Sequence, residues 1–338
     1  MKKVKIQSSN VLLIITIILF IVMYGAGCIV YGNKGFAHLQ TFLNILINNA
    51  GLICVACGTT MVMLSGGIDI SVGSVVAMDC MFLAVGMEQW GKSSVSLMIW
   101  VLVIGLVFGL FQGFCIAYLE IQPFIVTMAG LFFARGMTAV ICKDQVSIVS
   151  DKLFTALSST KLVLPFGGYV NKKGVLTMPF LRASVIVALL CVLITYLVLK
   201  YTKFGRAIYA VGGNQQSASL MGLNVKKTRL FTHVVASFFA SIGGICYCLN
   251  TMCGTTAQAT GLEMDAISSA VIGGTLLTGG VGSVIGTFFG VLINGTISSL
   301  VKSNGKLISS WSNIITAILL CFFIVLQAIF AKIKDSKK

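Results

Sequence analysis

The sequence predicts an all-α, polytopic membrane protein of about ten transmembrane helices, with both termini in the cytoplasm. Three observations carry that prediction. Of the 338 residues, 57% are hydrophobic and only 10% charged, and the mean hydropathy is +1.00, a balance that no water-facing domain sustains. Long runs hold no Asp, Glu, Lys or Arg: Ile6 to Asn33, Leu39 to Ile68, Ser93 to Leu119, Ala183 to Leu199, Leu230 to Leu262, Ala266 to Val301 and Leu307 to Ala331. A helix crosses a bilayer with about 20 apolar residues, whereas barrel strands would be about half as long and alternating. Finally, Lys and Arg gather in three places, and such clusters near span ends mark the cytoplasmic side.

In chain order the spans fall near 11–30, 42–64, 72–87, 95–119, 123–142 and 183–199, then at 231–251, 266–278, 284–301 and 311–331. The first follows Lys2, Lys3 and Lys5 as a signal peptide would, but no A-x-A-like cleavage site is evident, so it reads as a retained helix. The second cationic cluster is the connection at about 200–230, with Lys200, Lys203, Arg206, Lys226, Lys227 and Arg229 and no acid. The third is the C-terminus, with Lys332, Lys334, Lys337 and Lys338. An even number of spans lies between each pair of clusters, so all three share the cytoplasmic side. The larger connection at about 143–182 is then extracytoplasmic. It carries six positive charges against Asp144 and Asp151, but the charge rule weakens for longer loops.

No linker divides the chain, which reads as one membrane domain over 1–338. The run from Ala266 to Val301 is too long for one span and contains Gly273/Gly274 and Gly279/Gly280, so it forms a tight helical hairpin or a broken helix. Within it, LTGGVGSV from Leu277 echoes LSGG and VGSV in the stretch from Leu64, as an internal duplication would.

Several function classes fall away. The net charge of +15 comes from lysines at termini and in loops, without the aromatic interleaving of a nucleic-acid binder. The 11 cysteines are odd in number and lie mostly in apolar runs, where a thiol serves as a small hydrophobe. Cys54 and Cys57 form a CxxC, and Cys246, Cys248 and Cys253 a looser group, but only His38 and His233 could complete a metal site. GMEQWGKS, Gly86 to Ser93, fits the phosphate-loop pattern, yet an apolar span precedes it where a strand is required. No nucleophile, base or metal cluster appears, so neither an enzyme nor a bound cofactor or metal is expected.

Four places invite a functional reading. In LSGGIDISVGSV, Leu64 to Val75, Gly66 and Gly67 can end one helix in left-handed geometry, and Asp69 or Ser71 can cap the next. Gly73 and Ser74 let helices approach closely, and broken backbone at membrane depth must be satisfied by protein or by a watery cavity. The stretch is therefore a helix-ending turn with a packing face, or one wall of a solute pathway. Asp79 falls inside the third span, where facing lipid would cost several kcal/mol, so it serves a buried hydrogen bond, a pathway or proton coupling. Arg135, near the end of the fifth span, reads as an anchor or a helix-pairing group. In the cationic connection, Asn214 can cap a short helix through Gln215 to Met221 that Gly222 terminates. About two turns do not persist alone in water, so Ser217, Ala218, Leu220 and Met221 need a docking surface, either the membrane or a partner.

Four segments together resemble the membrane permeases of bacterial ABC importers for simple sugars, the ribose, galactose and arabinose type. They are SGGIDISVGS from Ser65, PFIVTMAGLFFARG from Pro123, FGRAIYAVGGNQQSASLMGLNV from Phe204, and GLEMDAISSAVIGGTLLTGGVGSVIGTFFGVLI from Gly261. The last of these, with SSWSNI from Ser309, looks most like a permease of the galactofuranose-type importer. The resemblance implies a pathway built by two permease subunits, two cytoplasmic ATPase subunits docked on short loop helices, and an extracytoplasmic sugar-binding protein, in the cytoplasmic membrane of a bacterium. Carried over by residue, ATPase docking falls on Gly212, Gly213, Asn214, Ser217, Leu220, Met221 and Gly222. Pathway or gating roles fall on Gly66, Gly67, Asp69, Ser71 and Gly73. Glu263 and Asp265 match an acidic pair before the eighth span, where capping of the helix dipole competes with contact to the binding protein. The rival readings are a related permease for branched-chain amino acids or nucleosides, and a proton-coupled carrier using Asp79.

Overall fold

The computed structural model describes residues 8–170, 176–308 and 310–335. Lys2, Lys3, Lys5, Lys172, Lys173, Ser309, Lys337 and Lys338, on which parts of the charge and motif readings rest, lie outside the described residues. The chain opens with α1 (Ser8–Tyr31), α2 (Leu39–Asn48), α3 (Ala50–Leu64), α4 (Val72–Glu88), α5 (Ser94–Ala117) and α6 (Pro123–Ile141). A connection of short elements follows: β1 (Val146–Ser147), α7 (Lys152–Ser159), β2 (Lys161–Val163), β3 (Tyr169–Val170), β4 (Leu176–Thr177) and β5 (Phe180–Arg182). Then come α8 (Ala183–Tyr201), α9 (Lys203–Gly213), α10 (Gln215–Leu220), α11 (Val225–Thr251), β6 (Cys253–Gly254), α12 (Leu262–Ile272), α13 (Val284–Asn304) and α14 (Ser310–Asp335). The described residues are mostly helical, with three short antiparallel pairs in the connections among them, β1 with β6, β2 with β5 and β3 with β4.

Every predicted span meets a helix, but not every helix is long enough to cross. Among the described residues, seven helices are long and apolar enough, and α2 with α3, bent by 56°, would make an eighth. The bend falls at Asn49, whose side-chain amide donates to the Ile45 carbonyl at 2.8 Å. The two remaining predicted spans are α4, with 17 residues, and α12, with 11. The span predicted over 266–278 therefore stops at Ile272. Gly274 turns left-handed at φ +89°, and the chain runs irregularly to Ser283 before α13 begins. The long glycine-bearing run is thus a helical hairpin: Gly286 and Gly290 of α13 pack directly on the backbone of Gly273 and Ser269.

The core is the contact of α3, α4, α5 and α11. All residues of α3 are buried, as expected of a helix that is apolar all round and sits inside a bundle. Lipid gives helices no reason to associate beyond packing and hydrogen bonds, so close contact depends on small residues. Gly105, Gly109 and Gly113 of α5 supply it at four-residue spacing: a Cβ on Gly109 would lie 2.8 Å from the His233 carbonyl oxygen, and one on Gly113 2.7 Å from that of Leu230. The opposite face of α5 exposes Val103, Val107, Leu110 and Phe114, a surface that suits hydrocarbon.

Contacts between connections sort into two groups. In one, the Gly280 amide donates to the Leu64 carbonyl at 2.9 Å, Lys226 pairs with Glu120 at 3.0 Å, and the Tyr209 hydroxyl reaches the Gly282 carbonyl at 3.0 Å. In the other, the Ser94 amide donates to Asp151 at 3.0 Å, the Val149 amide to Glu88 at 2.6 Å, the Phe180 amide to Gln40 at 2.8 Å, and Lys34 to the Ser303 carbonyl at 2.8 Å. The GMEQWGKS stretch belongs to this second group. It begins in the last turn of α4, and Glu88 within it is engaged by the amides of Val149 and Ser150. Burial alone would raise the Asp151 carboxyl, but the amides of Phe154, Ser94 and Leu153 and the Ser94 hydroxyl outweigh it and hold the group below the usual carboxylate range.

Candidate functional site

Short polar side chains order the cationic connection. Thr202 accepts from the Gly205 amide at 3.0 Å to start α9, Asn214 from the Ser217 amide at 2.8 Å to start α10, and Asn224 from the Lys227 amide at 2.9 Å to start α11. Gly222, at φ +80°, closes α10, with the Leu223 amide returning to the Ala218 carbonyl at 3.1 Å. Ala218 packs inward, while Leu220 is 90% and Met221 68% exposed. Of the four residues expected to need a docking surface, Ala218 already has one within the chain.

Gly212 and Gly213 turn away from that exposed tip. The structure joins them to Gly66 and to Gly279 and Gly280, so the two similar glycine stretches meet at the end of α9. A Cβ on Gly212 would collide with the Leu64 carbonyl oxygen, one on Gly279 would lie 2.8 Å from the Gly66 nitrogen, and one on Gly280 2.6 Å from the Gly213 Cα. Three backbones cross there at a separation that only glycine permits. Gly66, Gly279 and Gly280 have φ of +82°, +87° and +73°, which L side chains rarely adopt. Gly67 is not left-handed, so the expected left-handed ending rests on Gly66 alone.

Beyond this junction the chain enters the core through a polar network. Asp69 Oδ1 accepts from the Ser71 amide at 2.9 Å and the Ser71 hydroxyl at 2.6 Å, and the Gln112 amide donates to the Ser71 hydroxyl at 3.1 Å. His233 Nδ1 stands 3.7 Å from Asp69 Oδ2, both side chains being almost wholly buried. The expected helix cap is not made: Ser71 precedes α4 without capping it, because its hydroxyl and the Asp69 carboxylate engage each other. Gln112 and His233 do not stand out as site residues in the sequence. The signal was a lone Gln and a lone His, each inside an apolar span.

The remaining candidates lie elsewhere. Asp79 is buried against α11 beside Ser241 and Gly244, and neither of its oxygens makes a hydrogen bond among the described residues. Gly73 meets Glu263 rather than Gly66: a Cβ on it would collide with Glu263 Oε2 and stand 3.1 Å from the Glu263 nitrogen. Glu263 and Asp265 occupy the first turn of α12, after the left-handed Gly261. Arg135 anchors the chain just before them, donating to the Gln258 carbonyl at 2.6 Å and the Thr256 carbonyl at 3.2 Å. Among the described residues no group of three or more His, Cys, Asp or Glu side chains gathers to hold a metal.

Comparison with known proteins places the chain in a family. The chain is 40% identical over 318 residues, 94% of its length and 92% of the relative's, to the inner membrane ABC transporter permease protein YjfF of Escherichia coli. It is 32% identical over 337 residues, 100% and 96% of the two chains, to the fructose import permease protein FruG of Bifidobacterium longum. It is also 32% identical over 276 residues, 79% of each chain, to the ribose import permease protein RbsC of Haemophilus influenzae. No solved structure matches. Residues 41–324 match the family described as the permease component of the branched-chain amino acid transport system, and the chain belongs to that family of membrane permeases, which are not enzymes.

Proposed function

We propose that this chain is a transmembrane subunit of an ATP-driven importer for a simple sugar in the bacterial inner membrane, lining the translocation pathway and taking its motion from separate ATPase subunits. The observation that carries the reading is α10. A capped helix too short to persist by itself leaves Leu220 and Met221 exposed, beside a junction that grips both glycine stretches. Asn214, Ser217 and Gly222 shape that peg, Leu220 and Met221 contact the ATPase, and Gly212 and Gly213 pass its displacement to Gly66, Gly67, Asp69 and Ser71. A rigid-body switch biased by nucleotide is the mechanism such coupling serves.

The topology proposed is ten traverses within one domain over 1–338, both termini lying on the cytoplasmic side with the connection at 200–230, and the connection at 143–182 outside. The two groups of contacts support it: 64, 120, 209, 226, 280 and 282 meet at one end, and 34, 40, 88, 94, 149–151, 180 and 303 at the other. Partners are the ATPase pair, an extracytoplasmic sugar-binding protein and a second permease, a copy or a relative. The sugar reading takes its support from relatives that import fructose and ribose, and the galactofuranose-type detail from the resemblance alone. Permeation of branched-chain amino acids or nucleosides is the runner-up, followed by a proton-coupled carrier using Asp79.

The test is uptake of ribose, fructose and galactose by the reconstituted importer. An inactive ATPase partner abolishes uptake, and a protonophore with ATP maintained does not. Leu220→Asp with Met221→Asp leaves the chain in the membrane but removes the stimulation of ATP hydrolysis by sugar. Unchanged coupling in that variant ends the docking assignment, and uptake driven without ATP ends the reading.

A further inference from the structure

The stretch between α11 and α12 breaks the helical pattern at depth. A Cβ on Gly254 would stand 2.8 Å from the Met81 Cα, and one on Gly73 3.2 Å from the Ala259 carbonyl oxygen, so the non-helical backbone of 252–261 runs alongside α4 toward its start. At about 1.5 Å per residue, Gly73 lies about 22 Å along α4 from Glu88. The helix α12 therefore begins far inside the molecule, with Glu263 and Asp265 in its first turn. Irregular backbone at such depth is tolerated only where it is buried in protein or lines a water-filled cavity.

A cavity is there. It has a volume of about 380 Å³, within the usual range for small-molecule sites, and its lining includes Tyr247, Thr251, Thr255, Gln258, Thr260 and Asp265. Its wall is built rather than loose. Arg135 holds the Thr256 and Gln258 carbonyls, the Gln258 side chain accepts from the Thr255 amide and donates to the Thr251 hydroxyl, both at 2.9 Å, and β6 pairs with β1. Met252 and Ala259 are held at φ +53° without being glycine, the kind of backbone strain that persists where surrounding contacts fix it. The Asp265 carboxylate makes no hydrogen bond within the described residues, and its lone pairs remain open to the cavity.

We propose that this cavity is the outer vestibule for the solute, holding a neutral, polyhydroxylated sugar with Asp265 accepting from its hydroxyls, Thr251, Thr255 and Thr260 exchanging hydrogen bonds with it, and the Tyr247 ring covering one apolar face. The inference rests on the sugar-importer reading and adds the site and its chemistry. Among the described residues no Lys or Arg lines the cavity, and Glu263 and Asp265 in the first turn of α12 offset the positive end of that helix, so the cavity disfavours the carboxylate of an amino acid or a phosphorylated sugar.

The experiment uses the full importer, with its ATPase and binding protein, in proteoliposomes. The probes are radiolabelled ribose, fructose and galactose, with leucine as the competing solute. Cys253, a partly buried thiol in the cavity lining, reports occupancy through its rate of modification by a small methanethiosulfonate. The transported sugar slows that modification and leucine does not. Asp265→Asn lowers uptake about tenfold at saturating binding protein, the loss expected when hydrogen bonds to a charged acceptor weaken. Binding-protein docking stays within about twofold, a margin well under one hydrogen bond. Thr260→Val, which removes no charge, also abolishes protection of Cys253 and keeps the inference testable should Asp265→Asn fail to assemble. Uptake and protection unchanged in both variants, or a loss due wholly to weaker docking of the binding protein, overturn the vestibule and leave the importer reading standing. Uptake of leucine and of none of the three sugars overturns both.

Discussion

At the scale of single residues, Asp69 carries the most information. The sequence marks it as a polar residue between two apolar runs but leaves its partner open. In the fold its two oxygens divide their work, one toward Ser71 and the other toward His233. Asp69→Asn keeps an acceptor for Ser71, whereas Asp69→Leu leaves the Ser71 amide and His233 without that partner in the core, at about 1–3 kcal/mol for each orphaned group, while the Ser71–Gln112 pair remains. Thermal unfolding of the purified permease in detergent should rank the parent and Asp69→Asn close together and Asp69→Leu several degrees lower. Equal melting of the two variants would remove the network from the account. Loss of transport in Asp69→Asn at normal expression would show that the charge itself serves the pathway. The strain at Met252 and Ala259 was not legible in the sequence, because nothing in either residue type signals a left-handed backbone.

At the scale of elements, apolar length and cap chemistry were legible, and depth was not. The α10 cap on Asn214 and its stop at Gly222 follow from local hydrogen bonding, which a few consecutive residues determine. The early end of α12 does not, since a run as apolar as 266–278 reads as a span until the backbone of α13 is seen pressed against Gly273. The small-residue ladder on α5 gives a direct test. Gly109→Ala forces a methyl to within 2.8 Å of the His233 carbonyl and the Val234 Cα, and should destabilise the permease by about 1–3 kcal/mol through overpacking. Gly136→Ala on α6 meets nothing within 4 Å and should be neutral, or stabilising by up to about 1 kcal/mol from helix propensity. The measurement is the detergent melting temperature of each variant. Equal destabilisation would mean that α5 and α11 are free to separate.

At the scale of the whole molecule, the prediction concerns sidedness. A membrane-impermeant maleimide applied to intact cells should label Val163→Cys, an exposed position in β2, and should leave Leu220→Cys unlabelled until the membrane is opened. The reverse pattern would invert the topology and with it the ATPase docking. The backbones of Leu64–Gly66, Gly212–Gly213 and Gly279–Gly280 meet at one end, and the close approach is made where Gly66, Gly212, Gly279 and Gly280 stand.

The sequence by itself determined the membrane class, the positions of most of the apolar helices, the Asn214 cap and Gly222 stop of α10 and the family, because each depends on composition or on residues near one another in the chain. Only the tertiary structure decided that LSGG and LTGG meet at Gly212, that Asp69 faces His233, and that Gly73 lies against Glu263 beside a polar cavity. Those outcomes are contacts between residues far apart in sequence. Helices in a bilayer are all alike in hydrophobicity, so what selects among their pairings is the fit of small residues and the partners of a few buried polar groups.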